Sequence, residues 1–258
     1  MRNSTLEKMR TLKLYGMLKT YNILIENKNF EQLTIDEALA GMIDSEWDER
    51  YNKKLGRLLK QAKLRYQAAI EYLNFGKERN LDKNLILQLS ACNWIDQGKN
   101  ILITGKTGSG KSYLACALGH QACINEYKVR YLNCLKFFNE LKFSKAEGTY
   151  EKKINQLKKV NLIILDDFGL QALDVQSRLS LLEILEDRYE NSATIISSQI
   201  EPDKWYEVMG DPTIADAICD RLIHRAYIIN LKGKKSMRSK ISQKSKNNSG
   251  NKLHSSVS

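Results

Sequence analysis

The residues that decide the fold are Gly105-Lys106-Thr107-Gly108-Ser109-Gly110-Lys111-Ser112, which fit the pattern G-x-x-x-x-G-K-[ST]. An apolar run, Ile101–Thr104, precedes them, and a helical pattern, Lys111–Tyr127, follows. The glycines let the backbone curl so that several N–H groups point at one phosphate group, and the start of the helix adds positive potential. We predict that this loop binds a nucleotide, with Lys111 at the β- and γ-phosphates and the Ser112 hydroxyl on Mg²⁺.

A second apolar run, Leu162–Leu165, ends in two acidic residues, Asp166 and Asp167. Ligands of open α/β sheets bind at the carboxyl ends of the strands, so both carboxylates are expected beside the loop. We predict that Asp166 holds the Mg²⁺ shell and that Asp167 orients or polarises the attacking water. Aspartate is one methylene shorter than the glutamate that many ATPases use there, so we expect slow hydrolysis. A solvated turn is the competing interpretation.

A third strand pattern, Thr194–Ser197, ends in the polar residues Ser198 and Gln199. In ATPases with an extra strand between the loop strand and the acidic strand, a polar residue at this point helps to position the water. We assign this role to Ser198, with Gln199 as the second candidate. The alternative is a strand that simply ends in a polar turn.

A short helix is predicted to begin at Pro212, because Asp211 is a suitable cap and proline fits the first helical position. Arg221 lies near the end of this helix. We predict that it reaches the γ-phosphate bound by a neighbouring subunit and stabilises the charge of the transition state. The alternative is an ion pair within the chain to Asp216 or Asp220.

The alternation of strands and helices predicts the architecture. Five short apolar runs, separated by helical patterns, are typical of an α/β fold with a parallel sheet covered on both faces. These runs are Ile101–Thr104, Val129–Asn133, Leu162–Leu165, Thr194–Ser197 and Tyr227–Leu231. We place this core at residues 99–238, after linker helices at residues 67–98.

Residues 1–66 are predicted to form a small all-helical domain. Two residue pairs, Ser4 with Glu7 and Thr34 with Glu37, have the spacing of a capping box. The last helix is predicted to run from Ile35 to about Tyr66.

The net charge of +11 is unevenly distributed over the 258 residues. Residues 232–258 hold eight basic residues and no acidic one, which leaves 33 basic against 30 acidic residues in the rest of the chain. The segment is rich in Ser, Asn and Lys, so we predict a disordered basic tail at residues 239–258. Such a tail either binds a polyanion or only keeps the protein in solution.

A basic stripe in the N-terminal region also suggests a polyanionic partner. Seven of the sixteen residues from Arg50 to Arg65 are basic. The stripe either contacts phosphates or is a solvated helix face. The candidates for DNA contact in it are Lys53, Lys54, Arg57 and Lys60.

Composition excludes several classes of protein. No apolar run approaches the ~20 residues that a membrane span needs, and charges within the first residues argue against a signal peptide. We therefore expect a cytoplasmic protein that has no membrane partner. The five cysteines form no CxxC pair and the three histidines are scattered, so we predict buried, reduced thiols rather than a zinc site.

Taken together, these motifs resemble the IstB-type ATP-binding helpers of transposition, which are related to DnaC-like helicase loaders within the AAA+ ATPases. The resemblance extends from residue 12 to about residue 238, and the double aspartate and the run Gly210–Arg221 make it specific. Besides the loop at residues 105–112, the matching stretches are Leu12–Met17, Tyr113–Ala122, Val129–Tyr131, Leu165–Leu170, Leu182–Leu185, Ser198–Gln199, Lys204–Trp205, Gly210–Arg221, Leu231–Gly233 and Ser236–Arg238.

The resemblance implies an AAA+ P-loop core with ATP and Mg²⁺ as cofactors. It further implies binding to double-stranded DNA with little sequence preference, ATP-driven homo-oligomerisation on that DNA, and recruitment or stimulation of a cognate transposase, with hydrolysis resetting the assembly. A replicative helicase loader is the alternative that the core does not exclude. A small-molecule P-loop kinase is a third interpretation, but no arginine-rich lid follows Asp167 in the core.

The segment between the second and third strands gains a DNA role by the same resemblance, because an insertion there faces the DNA channel in DnaC-like proteins. Only two acidic residues, Glu147 and Glu151, lie between Lys142 and Lys159. We predict that phosphates are contacted by Lys142, Lys145, Lys152 and Lys153. An amphipathic, solvated helix is the alternative.

Overall fold

The computed structural model of the protein describes residues 2–26 and 33–233, in two compact units that divide between Lys60 and Gln61. The basic tail predicted at residues 239–258 lies outside the described residues.

Helices form the described part of the first unit. They are α1 (Arg2–Thr11), α2 (Tyr15–Glu26) and α3 (Ile35–Ala62), the last of which ends in the second unit. The capping box at the start of α3 is confirmed: Glu37 N–H donates to Thr34 Oγ1 at 3.2 Å, and Thr34 N–H donates to the Glu37 carboxylate at 2.8 Å. The box predicted from Ser4 and Glu7 is wrong, because α1 begins at Arg2 and Ser4 lies inside it.

The two helices α2 and α3 meet at Gly16, where the backbones approach closely. A Cβ at Gly16 would lie 2.2 Å from the Ser45 carbonyl oxygen. Gly16 N–H and Met17 N–H donate to Glu46 Oε2 at 2.9 and 3.4 Å, and Ser45 Oγ donates to the Gly16 carbonyl at 3.0 Å. The Glu46 carboxylate thus satisfies the free N–H groups at the start of α2. Only glycine allows this contact.

The second unit is built on a five-stranded parallel sheet with the order β2-β3-β4-β1-β5. The strands are β1 (Asn100–Gly105), β2 (Val129–Asn133), β3 (Leu162–Phe168), β4 (Ala193–Ser198) and β5 (Ala226–Leu231). All five predicted strands are confirmed. The extra strand, β4, lies between the loop strand β1 and the acidic strand β3.

Helices cover the sheet. They are α4 (Lys83–Ser90), α5 (Asn93–Asp96), α6 (Lys111–Ile124), α7 (Cys134–Ala146), α8 (Tyr150–Lys158), α9 (Val175–Arg188), α10 (Trp205–Met209) and α11 (Pro212–Ile223). Helix α6 packs against β1, β3 and β4, and α7 packs against β2 and β3. Trp205 and Phe168 are fully buried, with ring centroids 4.8 Å apart, and they fix α10 to the end of β3.

The helix predicted to reach Tyr66 ends four residues earlier, at Ala62. Lys63 has φ +51°, which breaks the helical hydrogen-bond pattern. This early end places Arg65 in irregular structure rather than on the solvated face of a helix.

The prediction of buried, reduced thiols is confirmed. All five cysteines are buried and free. Burial raises the pKa of Cys116 to about 11, so its thiol is protonated at neutral pH. In the part of the chain that the structure describes, no helix combines the length and apolarity that crossing a bilayer requires.

Replacing Gly16 tests the packing of α2 on α3. We expect Gly16→Ala to destabilise the first unit by about 1–3 kcal/mol, because the added methyl group overlaps the Ser45 carbonyl. Gly41→Ala on α3 is the matched control. Nothing lies within 4 Å of its added methyl group, so it should stabilise the helix by about 0.5–1 kcal/mol. Hydrogen exchange of α2 and α3 measures both effects, and equal effects of the two variants would contradict the close contact.

Candidate nucleotide-binding site

The loop at residues 105–112 connects the end of β1 to the start of α6. Gly105 has φ +142°, and a Cβ there would lie 2.3 Å from the Leu231 carbonyl oxygen. Gly110, at φ +96°, precedes the first turn of α6. Lys111 Nζ donates to the carbonyls of Gly105 and Lys106 at 2.7 and 3.1 Å. The lysine ammonium therefore lies across the loop, where a phosphate chain would bind.

Asp166 is fully buried near the end of β3 and accepts from three hydroxyl groups. Ser112 Oγ donates to Oδ1 at 2.8 Å, Tyr131 OH donates to Oδ2 at 2.5 Å, and Ser197 Oγ makes a short hydrogen bond to Oδ1. A buried carboxylate without such donors would be strongly unfavourable. The structure thus brings the two residues predicted for Mg²⁺, Ser112 and Asp166, into direct contact.

Asp167 has φ +61°, an uncommon conformation for a residue other than glycine. Such a backbone costs roughly 1–3 kcal/mol and persists where the surroundings impose it, often at functional sites. A register shift between β3 and β4 occurs at this point, between Leu165 and Phe168. Asn133 Nδ2 donates to Asp167 Oδ2 at 2.9 Å, and the carboxylate is partly exposed. The side chain is therefore fixed in direction yet open to solvent.

Three neighbouring polar residues at the end of β4 make different contacts. Ser197 bonds to Asp166. Ser198 is fully buried; its hydroxyl donates to the Phe168 carbonyl at 2.9 Å and accepts from Ile200 N–H at 3.0 Å. Gln199 is exposed, and its side-chain oxygen accepts from Thr107 of the loop at 2.6 Å. Gln199, rather than Ser198, thus reaches the loop.

A buried arginine joins the predicted linker to the loop. Arg79 Nη2 donates to the Ser109 carbonyl at 3.0 Å, and Nη1 donates to the Asn74 carbonyl at 2.9 Å. Its side chain is buried, and this burial lowers its pKa. The turn-like segment at residues 74–80 therefore supports the phosphate loop from one side.

Sequence reasoning missed several residues that complete the site. Tyr131 and Asn133 lie on β2, and Asn133 is in register with Asp166 on β3. A polar residue at the end of a predicted strand was the available signal for Asn133. Arg65, whose Nη1 lies 3.4 Å from both Asp166 Oδ2 and Asp167 Oδ2, gave no such signal, because it stands in a run of basic residues.

Arg221 lies at the amino end of β1, whereas the loop of the same chain lies at the carboxyl end of this strand. Asn100, the first residue of β1, donates through Nδ2 to the carbonyls of Arg221 and Leu222 at 2.9 and 3.2 Å. The loop begins at Gly105, at the other end of β1, roughly 17 Å away at 3.3 Å per residue. Arg221 makes an ion pair within the chain, to Glu186 at 2.5 Å rather than to Asp216 or Asp220.

The basic candidates of the N-terminal region, Lys53, Lys54, Arg57 and Lys60, all lie on α3. Lys53 and Arg57 are exposed, and Lys53 Nζ lies 5.4 Å from the centre of the Tyr15 ring.

The other four basic candidates lie on α7 and α8. Lys142 is ion-paired with Asp174, which caps α9. Lys145 Nζ stacks 4.5 Å from the centre of the Tyr150 ring, and Lys153 Nζ donates to the Glu140 carbonyl at 3.1 Å. Lys152 is exposed.

The oxygen atoms of Ser112 and Asp166 suit a hard divalent cation. Mg²⁺ takes octahedral oxygen ligands at about 2.0–2.1 Å, so neighbouring ligands lie about 2.9 Å apart. Ser112 Oγ and Asp166 Oδ1 are 2.8 Å apart. Mg²⁺ is usually bound by one or two protein ligands together with substrate phosphates, so this pair fits the metal.

A glycine-rich loop between the first strand and helix of a parallel sheet, with acidic residues two strands away, defines a P-loop core with an extra strand between the loop strand and the acidic strand. The family follows from the whole sequence: residues 7–245 match the family described as IstB-like ATP binding protein, and the chain belongs to it.

Relatives share most of the chain. The protein y4pL of Sinorhizobium fredii, whose name describes an insertion sequence ATP-binding protein, is 45% identical over 229 residues, which cover 89% of this chain and 94% of the relative. The corresponding protein of insertion sequence IS1162 from Pseudomonas fluorescens is 40% identical over 201 residues, which cover 78% of this chain and 87% of the relative.

Solved structures share the fold at low identity. The DnaC helicase loader has a TM-score of 0.54 at 19% identity, over 66% of this chain and 100% of that chain. AMPPCP-bound DnaA from Aquifex aeolicus has a TM-score of 0.56 at 22% identity, over 71% of this chain and 56% of that chain.

Substitutions at the end of β4 test which of two adjacent residues, Ser198 and Gln199, has a structural role. Ser198→Ala should cost about 1–3 kcal/mol of stability, because it leaves the Phe168 carbonyl and Ile200 N–H without their partner. Gln199→Ala, at an exposed position, should change stability by less than about 0.5 kcal/mol while it slows ATP hydrolysis. Thermal unfolding and steady-state turnover measure the two effects. A Ser198→Ala variant that is stable but does not hydrolyse ATP would instead favour a catalytic role for Ser198.

Proposed function

We propose that the protein is an ATP-dependent, DNA-binding helper of DNA transposition. It assembles on target DNA when ATP is bound, recruits or stimulates the cognate transposase, and resets by hydrolysing ATP. Membership in the IstB-like ATP binding family and the insertion-sequence names of two relatives support this proposal over a helicase loader. The likeness to the DnaC loader is one of fold.

The site provides a role for each group that ATP hydrolysis needs. The loop N–H groups and Lys111 bind the phosphates, and Ser112 and Asp166 hold Mg²⁺. When bound, the metal neutralises charge on the β- and γ-phosphates. Asp167, held by Asn133, orients the attacking water. We assign the second water-positioning role to Gln199 in place of Ser198, because Gln199 contacts the loop and the Ser198 hydroxyl is used within the fold.

The position of Arg221 is the observation that carries the assembly model. Its backbone lies at the amino end of β1 and the phosphate loop lies at the carboxyl end. An arginine side chain does not span a strand of this length. This placement supports a role for Arg221 at the nucleotide of another copy, in which case hydrolysis would require an assembly. The ion pair with Glu186 holds the arginine until a neighbour binds.

DNA bound on α7 would be linked to the Asp167 carboxylate through a single residue, Asn133. Asn133 caps α7, accepting from Lys136 N–H at 3.4 Å, and its Nδ2 atom donates to Asp167. A shift of α7 on a DNA backbone thus moves the residue that holds Asp167. This coupling supports DNA-stimulated hydrolysis.

The mass of the particles formed on a short DNA duplex tests the proposal. Measured in ATP, in ADP and without nucleotide, large defined assemblies should form only with ATP. They should retain a cognate transposase and not a replicative helicase. DNA binding that ignores the nucleotide and disappears with salt would contradict the ATP-driven assembly, and retention of the helicase alone would favour a loader.

Mixing two inactive variants tests whether Arg221 acts between subunits. Arg221→Ala should bind ATP normally and lose about 10³-fold or more in turnover. Lys111→Ala should lose nucleotide binding. A mixture should recover activity, because the Lys111→Ala chain supplies an intact Arg221 to its neighbour.

Arg225→Ala is the matched control for Arg221→Ala. Arg225 pairs with Glu190 at 3.2 Å, so its loss removes a similar charge and a similar ion pair. It should leave turnover within a few-fold of the original. Normal turnover by Arg221→Ala, or a mixture that stays inactive, would contradict action between subunits.

The salt dependence of DNA binding tests the basic residues of α7 and α8. Lys152→Ala should reduce the slope of log affinity against log salt by about 0.9, the value for one phosphate contact. Lys158→Ala on the same helix is the control, because Lys158 is ion-paired with Asp187 at 2.8 Å. Weaker binding by Lys152→Ala with an unchanged slope would argue against direct contact with phosphate.

A further inference from the structure

Arg65 lies against both acidic residues of the site. Its Nη1 atom is 3.4 Å from Asp166 Oδ2 and 3.4 Å from Asp167 Oδ2. Asp166 is fully buried, Asp167 is 26% exposed and Arg65 is 38% exposed. Arginine keeps its positive charge throughout the physiological pH range, so the guanidinium is a permanent cation. One cation therefore bridges two adjacent carboxylates.

The two carboxylates need positive charge nearby. Neighbouring carboxylates in a partly buried site repel each other, and a nearby cation removes much of this repulsion. A Mg²⁺ ion held with a nucleotide by Ser112 and Asp166 would also reduce this repulsion. Ser112 and the Arg65 guanidinium face opposite oxygen atoms of the Asp166 carboxylate, Oδ1 and Oδ2, so a cation held by Ser112 and Asp166 would lie close to the guanidinium. Two cations this close repel each other, so each weakens the binding of the other.

We propose that Arg65 is a positioning residue that neutralises the Asp166–Asp167 pair and competes with Mg²⁺ for its charge. This inference rests on the proposed binding of Mg²⁺ and ATP at the site. Arg65 holds the two carboxylates in place by its charge, and a metal held with a nucleotide by Ser112 and Asp166 would displace it. Metal binding without nucleotide is correspondingly weak, so that Mg²⁺ and ATP enter the site together.

The displacement of Arg65 also affects the segment that follows α3. Arg65 lies three residues after the end of α3, and Lys63 between them is in the left-handed conformation. Arg65 also contacts the ring of Tyr66, at 5.4 Å from its centre. Release of the guanidinium removes the contact that this segment makes with the two carboxylates.

Titration with Mg²⁺ alone tests the competition without any nucleotide. The readout is the rise in melting temperature with Mg²⁺ concentration. Arg65→Gln should bind Mg²⁺ about tenfold more tightly than the original protein, because the competing charge is gone. Arg65→Lys keeps the charge and should behave nearly as the original. Lys63→Gln, an exposed position two residues away, is the control for the change in net charge and should have no effect.

Equal Mg²⁺ affinity of Arg65→Gln and the original protein would overturn the proposal, as would the same gain in Lys63→Gln. Should Arg65→Gln fail to fold, the original protein still decides the question by hydrogen exchange. Exchange at residues 63–66 should rise when Mg²⁺ and a non-hydrolysable ATP analogue are added, and unchanged or slower exchange would overturn the proposal. Absence of any nucleotide binding by the original protein would instead refute the proposed function.

Discussion

The buried charge of Asp166 is the constraint on which the arrangement of the second unit depends. Its carboxylate is removed from water and receives hydrogen bonds from Ser112, Tyr131 and Ser197. These donors come from α6, β2 and β4, so each element must reach the same point. Because Tyr131 and Ser197 lie on the strands that flank β3, the carboxylate also favours this strand order. A buried carboxylate without donors would destabilise the fold, so these hydrogen bonds also stabilise the core.

The polarity of a parallel sheet gives the proposed site its dependence on assembly. All strands point the same way, so their carboxyl ends lie together on one side of the sheet and their amino ends on the opposite side. The loop, Asp166 and Asp167 lie at the carboxyl ends, and Arg221 lies at the amino ends. In the proposed function, two copies joined end to end would bring the arginine to the phosphates, so that nucleotide binding and oligomerisation would be one event. Within the chain, Arg221 pairs with Glu186.

The sequence predicted most local structure correctly, but it did not predict the contacts between distant segments. The loop at residues 105–112, the five strands and the Thr34–Glu37 capping box each depend on neighbours within a few residues, and each was predicted correctly. The capping box at Ser4 failed because helix formation continued to Arg2, where the spacing alone gives no boundary. Helix α3 was predicted four residues too long, because the sequence of Lys63 does not reveal its left-handed backbone.

The sequence alone establishes the class of core and the groups proposed to bind phosphate and metal, because glycines, a lysine and acidic residues at set spacings have few other uses. Which distant side chains meet follows only from the tertiary structure. Arg65 belongs to a basic run that predicts a solvated face, yet it lies between two carboxylates about a hundred residues away. Ser198 and Gln199 are adjacent in the chain, yet one hydroxyl is used inside the fold and one amide contacts the loop. Such choices depend on the register and twist of neighbouring strands and on where a helix ends, which no short pattern of residues encodes.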